Sequence, residues 1–221
     1  NNKGISKISN ELGDLYLGHT RLSIIDLSEK GNQPMISDDG RFEMVFNGEI
    51  YNYKELRIEL VQLGHDFKSE SDSEVLLKAW SQWQEESIRR LEGMFAFSIF
   101  DKKLNNLYLV RDAFGIKPLF YSYDNDLFSI SFASEIHALI KLLDKKPLLN
   151  LRKTYDYILY AARNEFEDTF FENIFHLPPA HFLKFEIAYE GISKRISKWW
   201  SPTIKQNFDN NPQKASDLLR E

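Results

Sequence analysis

The sequence contains no cysteine in its 221 residues. That excludes a disulfide framework and any thiolate metal site within it. No basic tract is present either: pairs such as Lys102-Lys103 and Lys145-Lys146 read as solvated turns, and the net charge is −5. Phosphate backbones are held by concentrated Lys and Arg, so no nucleic-acid partner is expected. No apolar run approaches the roughly 20 residues of a membrane span, and no secretory signal opens the chain. A soluble, cytoplasmic protein without membrane contact is the expectation. The chain does not begin with Met, so a fragment or processed form is expected. The five histidines (His19, His65, His137, His176 and His181) show no metal-ligand spacing, so no metal site is expected. Gly115-Ile116-Lys117-Pro118 lacks the glycine spacing and following helix of a phosphate loop, and no serine pattern suggests a serine hydrolase.

What is present is a globular composition. Hydrophobic residues make up 43% of the chain, with 17 Phe and 10 Tyr, enough to build the core of one large domain with a tail. Residues 1–14 are polar and read as a frayed start. Short strands are expected at Leu15 to Gly18, Arg21 to Ile25 and Arg41 to Phe46, separated by a loop from Glu29 to Gly40 that is rich in Gly, Asn and Asp. A helix from about Asn52 to Leu63 has Tyr53, Leu56, Leu60 and Leu63 on one face, Asn52 as cap and Gly64 as its stop. A second helix begins near Asp72, with Val75, Leu76, Ala79, Trp80 and Trp83 at helical spacing, so the tryptophans belong to the core.

From Gly93 the period changes. Met94 to Phe100 is apolar on both alternating faces, the mark of a strand covered on both sides. Leu107 to Arg111, Pro118 to Tyr123 and Leu127 to Phe132 continue an antiparallel meander. Ser134 is expected to cap a helix reaching Leu143, and Leu151 to Ala161 forms another. After His176-Leu177-Pro178-Pro179-Ala180, a hairpin of His181 to Ile187 and Ile192 to Trp199 follows. Residues 1–200 are expected to form one domain. Residues 201–221 read as a linker and the start of a further unit. Paired helices and two-faced strands predict an α+β, four-layer α/β/β/α sandwich of two antiparallel sheets with outer helices.

Three polar groups stand at element ends. Arg21 begins a strand and offers a planar fork for a carboxylate. Asn47-Gly48, read as a turn between strand and helix, offers a side-chain amide and a backbone N–H aimed at one point, as an oxyanion requires. Asp72 opens a helix and can accept from a ligand ammonium. Taken singly, Arg21 reads as a surface ion-pair residue, Asn-Gly as a common turn, and Asp72 as a helix cap beside the Ser71/Glu74 capping box. Taken together, they would grip an amino acid at its α-carbon and place its side-chain amide on the oxyanion donors.

The ordered motifs Gly18-His19-Thr20-Arg21-Leu22-Ser23-Ile24-Ile25-Asp26, Asn32-Gln33-Pro34-Met35, Phe46 to Asn52, Ser71-Asp72-Ser73-Glu74-Val75, Leu91 to Phe97, Arg111 to Leu119 and Phe132 to Ile136 resemble the glutaminase domain of glutamine-hydrolysing asparagine synthetases, over roughly Leu15 to Trp199. The resemblance implies an N-terminal-nucleophile (Ntn) hydrolase fold whose N-terminal strand, carrying the attacking cysteine, is missing here. It also implies Arg21 on the glutamine carboxylate, Asp72 on its α-amino group, Asn47 and Gly48 as the oxyanion hole, and Glu49 lining the pocket. Glutamine would be hydrolysed to glutamate and ammonia, and the ammonia used by a second domain that activates aspartate with ATP and Mg²⁺. No cofactor is expected within this chain. Arg111, Asp112, Lys117 and Glu135 would face that second domain, and a homodimer is a further expected partner arrangement. The missing thiolate implies that the chain is inactive alone. Two alternatives follow: a non-catalytic interaction module, or an amidotransferase half serving another carboxylate, such as a sugar acid or a β-lactam precursor.

Overall fold

A computed structural model describes residues 2–21, 31–161, 167–203 and position 216 of the chain. In chain order its strands are β1 (Asn2–Asn10), β2 (Gly13–Arg21), β3 (Met35–Ile36), β4 (Phe42–Ile50), β5 (Gly93–Asp101), β6 (Asn106–Arg111), β7 (Phe120–Asp124), β8 (Ser129–Ala133), β9 (Phe175–His176), β10 (His181–Ala188) and β11 (Gly191–Lys198). Its helices are α1 (Tyr53–Gln62), α2 (Asp72–Trp83), α3 (Ile136–Leu142) and α4 (Leu151–Tyr160).

Six strands form one antiparallel sheet in the order β11-β10-β6-β5-β4-β3. The alternation of β5 explains its double apolarity. Phe95, Phe97 and Ile99 pack with Trp80, Val75 and Leu60 of the helices on one face, while Ala96 and Phe100 point to the other. Trp80 meets Phe97 and Tyr108 edge-on, with ring centroids 6.1 and 4.9 Å away, a favourable quadrupole arrangement. The tryptophan is core, as its helical spacing predicts.

Across the sheet lies a second β layer. Ile8 and Leu15 of the β1–β2 hairpin, and Tyr121, Tyr123, Ile130 and Phe132 of β7 and β8, share one apolar cluster with Phe100, Leu109 and Phe185. Helix α3 sits against β7 and β8. The layers therefore run helix, sheet, sheet, helix, which is the α+β sandwich expected from the sequence. The second layer is built in two pieces: β1-β2 forms one sheet and β8-β7-β9 another. A groove of about 860 Å³ separates them, with β2 on one bank and β8 on the other.

Several expected elements are corrected. The first residues are not frayed: β1 pairs with β2 over nine positions, from Asn2↔Arg21 to Asn10↔Gly13. Its apolar signal is thin: Ile5 and Ile8 are its only large apolar residues, and Ile5 is exposed, so backbone pairing does much to hold the strand. One continuous β2 replaces the first two expected strands as far as Arg21; Leu22 to Ile25 lie outside the described residues. Asn52 does not cap α1 through its side chain. Its amide donates to the Arg90 carbonyl (2.9 Å) and accepts from the Glu92 N–H (3.0 Å). Ser134 does not cap α3, whose N-cap position is Glu135. Most of the expected linker, from residue 204 onward, lies outside the described residues.

Candidate active site

The site is organised by β4. The sequence places Asn47-Gly48 at a turn, but the strand continues to Ile50, because β5 pairs with it as far as Ile50↔Gly93. The two backbones are closely apposed here. A Cβ on Gly48 would lie 2.2 Å from the Met94 carbonyl oxygen, and one on Gly93 would lie 2.1 Å from that of Glu49. Glycine at 48 is thus a condition of close strand approach rather than of turning.

Strand parity then fixes where the Gly48 N–H points. Phe95, its partner across the ladder, spends both backbone groups on Asp112: the Asp112 N–H donates to the Phe95 carbonyl (2.8 Å), and the Phe95 N–H donates to Asp112 Oδ2 (3.2 Å). Gly48↔Phe95 is therefore a non-hydrogen-bonded pair, and the Gly48 N–H faces away from β5. Its neighbours on that edge are occupied. The Phe46 N–H donates to Gln33 Oε1 (2.6 Å) and the Ile50 N–H to Asp72 Oδ2 (3.1 Å). The Gly48 amide points off the edge between them.

Asn47 projects onto the groove face. Its Nδ2 donates to Ser134 Oγ across 3.4 Å, a long bond that leaves the amide readily redirected. His19, Thr20, Ser98 and Ser134 line the same groove. The Ser98 hydroxyl is buried there without a hydrogen-bond partner among the described residues. Sequence reading missed Ser134 as a site residue. Its position before a helix suggested a cap, and the seating of β8 over β4 is a tertiary matter that local pattern does not encode.

Asp72 is the first residue of α2 and only 6% exposed. The cap reading goes to its neighbour: Ser71 Oγ accepts from the Glu74 N–H (3.2 Å), while Glu74 reaches back to the N–H groups of Lys68 and Ser69. Asp72 is left to tie α2 to the end of β4. Burial pushes its carboxyl above the ordinary 3.8, and the nearby Glu49 charge adds to the rise against the backbone bonds from Ile50 and Ser73. Two carboxylates thus stand close together at the end of the strand that carries Asn47 and Gly48.

Arg21 ends β2, paired with Asn2; its guanidinium lies outside the described residues. The structure brings together Asn47, Gly48, Glu49 and Asp72 along β4 and the start of α2, and seats β2 beside β4. Arg111 and Asp112, expected to face a second domain, are buried within this one. The Arg111 guanidinium donates to the carbonyls of Lys117, Gly115 and Leu177. Asp112 accepts from the N–H groups of Phe95, Phe114, Ile116 and Lys117. These two residues fix the 111–118 loop. Lys117 is half-buried and Glu135 exposed. Among the described residues no three His, Cys, Asp or Glu side chains cluster as metal ligands, and no helix is long and apolar enough to cross a membrane.

Comparison with known proteins adds a lineage to this geometry. The family described as "Glutamine amidotransferase domain" matches residues 6–200. Asparagine synthetase [glutamine-hydrolyzing] 3 of Bacillus subtilis (strain 168) is 34% identical over 206 residues, covering 91% of this chain and 32% of that protein. A putative asparagine synthetase [glutamine-hydrolyzing] of Methanocaldococcus jannaschii is 45% identical over 132 residues, covering 60% of this chain and 23% of that protein. The chain spans a third or less of the length of these relatives. Among solved structures, the glutamine phosphoribosylpyrophosphate amidotransferase of B. subtilis matches with a TM-score of 0.56 at 19% identity, over 81% of this chain and 34% of that one. At that identity the likeness is one of fold.

Proposed function

The chain belongs to the glutamine amidotransferase domain family, and from that premise we propose that its site binds glutamine and activates the side-chain amide for hydrolysis. The observation that carries this reading is the arrangement at the end of β4. Buried Asp72 has the Glu49 charge near enough to add to the rise of its carboxyl, and a ligand ammonium placed against Asp72 would favour its ionised form. One and two residues before Glu49 on the same strand are Gly48, with an outward-pointing N–H, and Asn47, with a loosely engaged amide. A glutamine held by its ammonium at Asp72 would extend its side-chain amide toward these donors. They would stabilise the oxyanion that forms when the carbonyl is attacked. Arg21 is assigned to the α-carboxylate.

The 221 residues contain no thiol, so the family's cysteine chemistry needs a nucleophile from outside this sequence. The groove between β2 and β8 suits a strand that delivers one, because its banks are strand edges and Asn47 lies in its lining. The whole protein's role is proposed by analogy with the relatives' names: ammonia released here would amidate aspartate in a synthetase domain that uses ATP and Mg²⁺.

Isothermal titration tests the binding half of this reading. L-Glutamine should bind saturably, and Arg21→Ala should weaken it by about 1.5–3 kcal/mol, the range for a charge-assisted pair. No detectable heat at about 10 mM glutamine would overturn it. Adding a synthetic peptide that opens Cys-Gly-Ile should then produce glutamate from glutamine, while a Ser-Gly-Ile peptide should not.

A further inference from the structure

A second cavity, of about 1160 Å³, lies between α4 and the loop that follows β6, and it shares no lining residue with the groove beside Asn47. Its wall on the α4 side comprises Asn150, Arg152, Lys153, Asp156 and Tyr160; Arg111, Gly115 and His176 stand opposite. Helix α4 is inverted relative to an ordinary surface helix. Leu151, Tyr155 and Ile158 are exposed, and Lys153 is its one buried residue.

Lys153 is 8% exposed, yet its ammonium makes no hydrogen bond or ion pair with any described residue. The side chain lines the cavity, so its ammonium is available to a ligand there. The other buried ionic group of the lining, Arg111, is also cationic, and its contacts are carbonyl oxygens and His176 rather than a carboxylate. His176 is held neutral, its pKa lowered to about 4 by burial and then by Arg111. Among the acidic residues of the lining, Asp168 is exposed and Asp156 half-buried, while Glu167 accepts from the buried Tyr121 hydroxyl (3.4 Å). The N-terminus of α4 opens on the same space, with Asn150 Oδ1 accepting from the Lys153 N–H (3.0 Å), and its dipole favours an anion there.

We propose that this cavity binds a small anionic metabolite, whose phosphate or carboxylate group is received by the Lys153 ammonium at the start of α4, with Arg152 closing over it. A compact oxyanion matches the point charge of a lysine and the first-turn amides of a helix. The cavity lies at the large end of small-molecule sites, so the anion would be one end of a larger polar molecule. The site is independent of the glutamine site in residues and in chemistry.

The test is titration of the ¹⁵N-labelled 221-residue chain with inorganic phosphate, and separately with succinate, against chloride at matched ionic strength. We expect saturable amide shifts confined to residues 150–154 and 115–117 with at least one anion; comparison of the two separates a phosphate from a carboxylate ligand. Lys153→Met, which keeps the buried stem, should weaken binding at least about tenfold. Arg152→Ala, at an exposed position, should weaken it by a smaller factor without disturbing the fold. Shifts that fail to saturate, that spread over the surface, or that persist unchanged in both variants would overturn the proposal. Glutamine affinity, measured in parallel, should be the same in both variants, so failure here and failure of the glutamine reading are distinguishable.

Discussion

Asp72 stands where its charge is a liability to the fold. Its carboxyl is pushed above 3.8 by burial and by Glu49, so the folded state holds the proton more tightly than the unfolded state. Stability from this group is greatest below the unfolded value and falls as pH rises through the folded one. Asp72→Asn removes that slope and can still accept from the Ile50 N–H. Chemical denaturation should therefore show the variant at least as stable as wild type at pH 7, with a flatter pH profile above pH 4, while titration shows glutamine binding weakened at least about tenfold. Equal glutamine affinity in the two proteins would remove Asp72 from the ammonium site. At this scale the sequence was informative about identity and poor about partnership. The Ser71-x-x-Glu74 pattern was visible as a cap signal, but that Ser71 takes the cap and frees Asp72 for β4 depends on how α2 meets the strand. Ser134 was misread for the same reason: a serine before a helix looks like a cap until another layer brings Asn47 to it.

The decisive element is the β4–β5 ladder. Phe42 to Asp101 at one end and Ile50 to Gly93 at the other run without a break, and two glycines let the backbones close. Gly48→Ala would set a methyl group 2.2 Å from the Met94 carbonyl oxygen. Relief requires backbone movement, so a loss of about 2–4 kcal/mol is expected in urea unfolding, together with loss of glutamine binding. A change within about 0.5 kcal/mol would mean the strands can separate there at little cost. Long elements with strong periodicity were legible: α1, α2, β5 and the β10–β11 hairpin lie where apolar spacing puts them. The ends of β4 and the whole of β1 were not. In β4 the Asn-Gly pair carries the local signature of a turn, and only cross-strand pairing overrides it. In β1 the residues are mostly polar, and register with β2 holds what composition does not advertise.

For the whole molecule, the split second layer matters most. β2 and β8 each present a strand edge to the groove, and unpaired edges recruit other strands. The 221-residue chain should therefore self-associate at micromolar concentration by light scattering, and a strand peptide that fills the groove should return it to a monomer. A monodisperse monomer without peptide would count against open edges on both banks. The four-layer class could be inferred because β5 is apolar on both faces and so needs two covers. The gap within one of those covers could not, since it is a space between distant segments rather than a property of any of them.

Asp112 has a consequence for motion. One carboxylate collects the amides of Phe95, Phe114, Ile116 and Lys117, while its own backbone binds Phe95 and Ala180. These contacts join a sheet interior to a stretch with no regular secondary structure. Such a stretch would ordinarily trade its amide hydrogens with heavy water within seconds or minutes, position by position. Anchored to a single acceptor, Phe114, Ile116 and Lys117 should instead retain deuterium-exchangeable protons about as long as Phe95 does, and release them together.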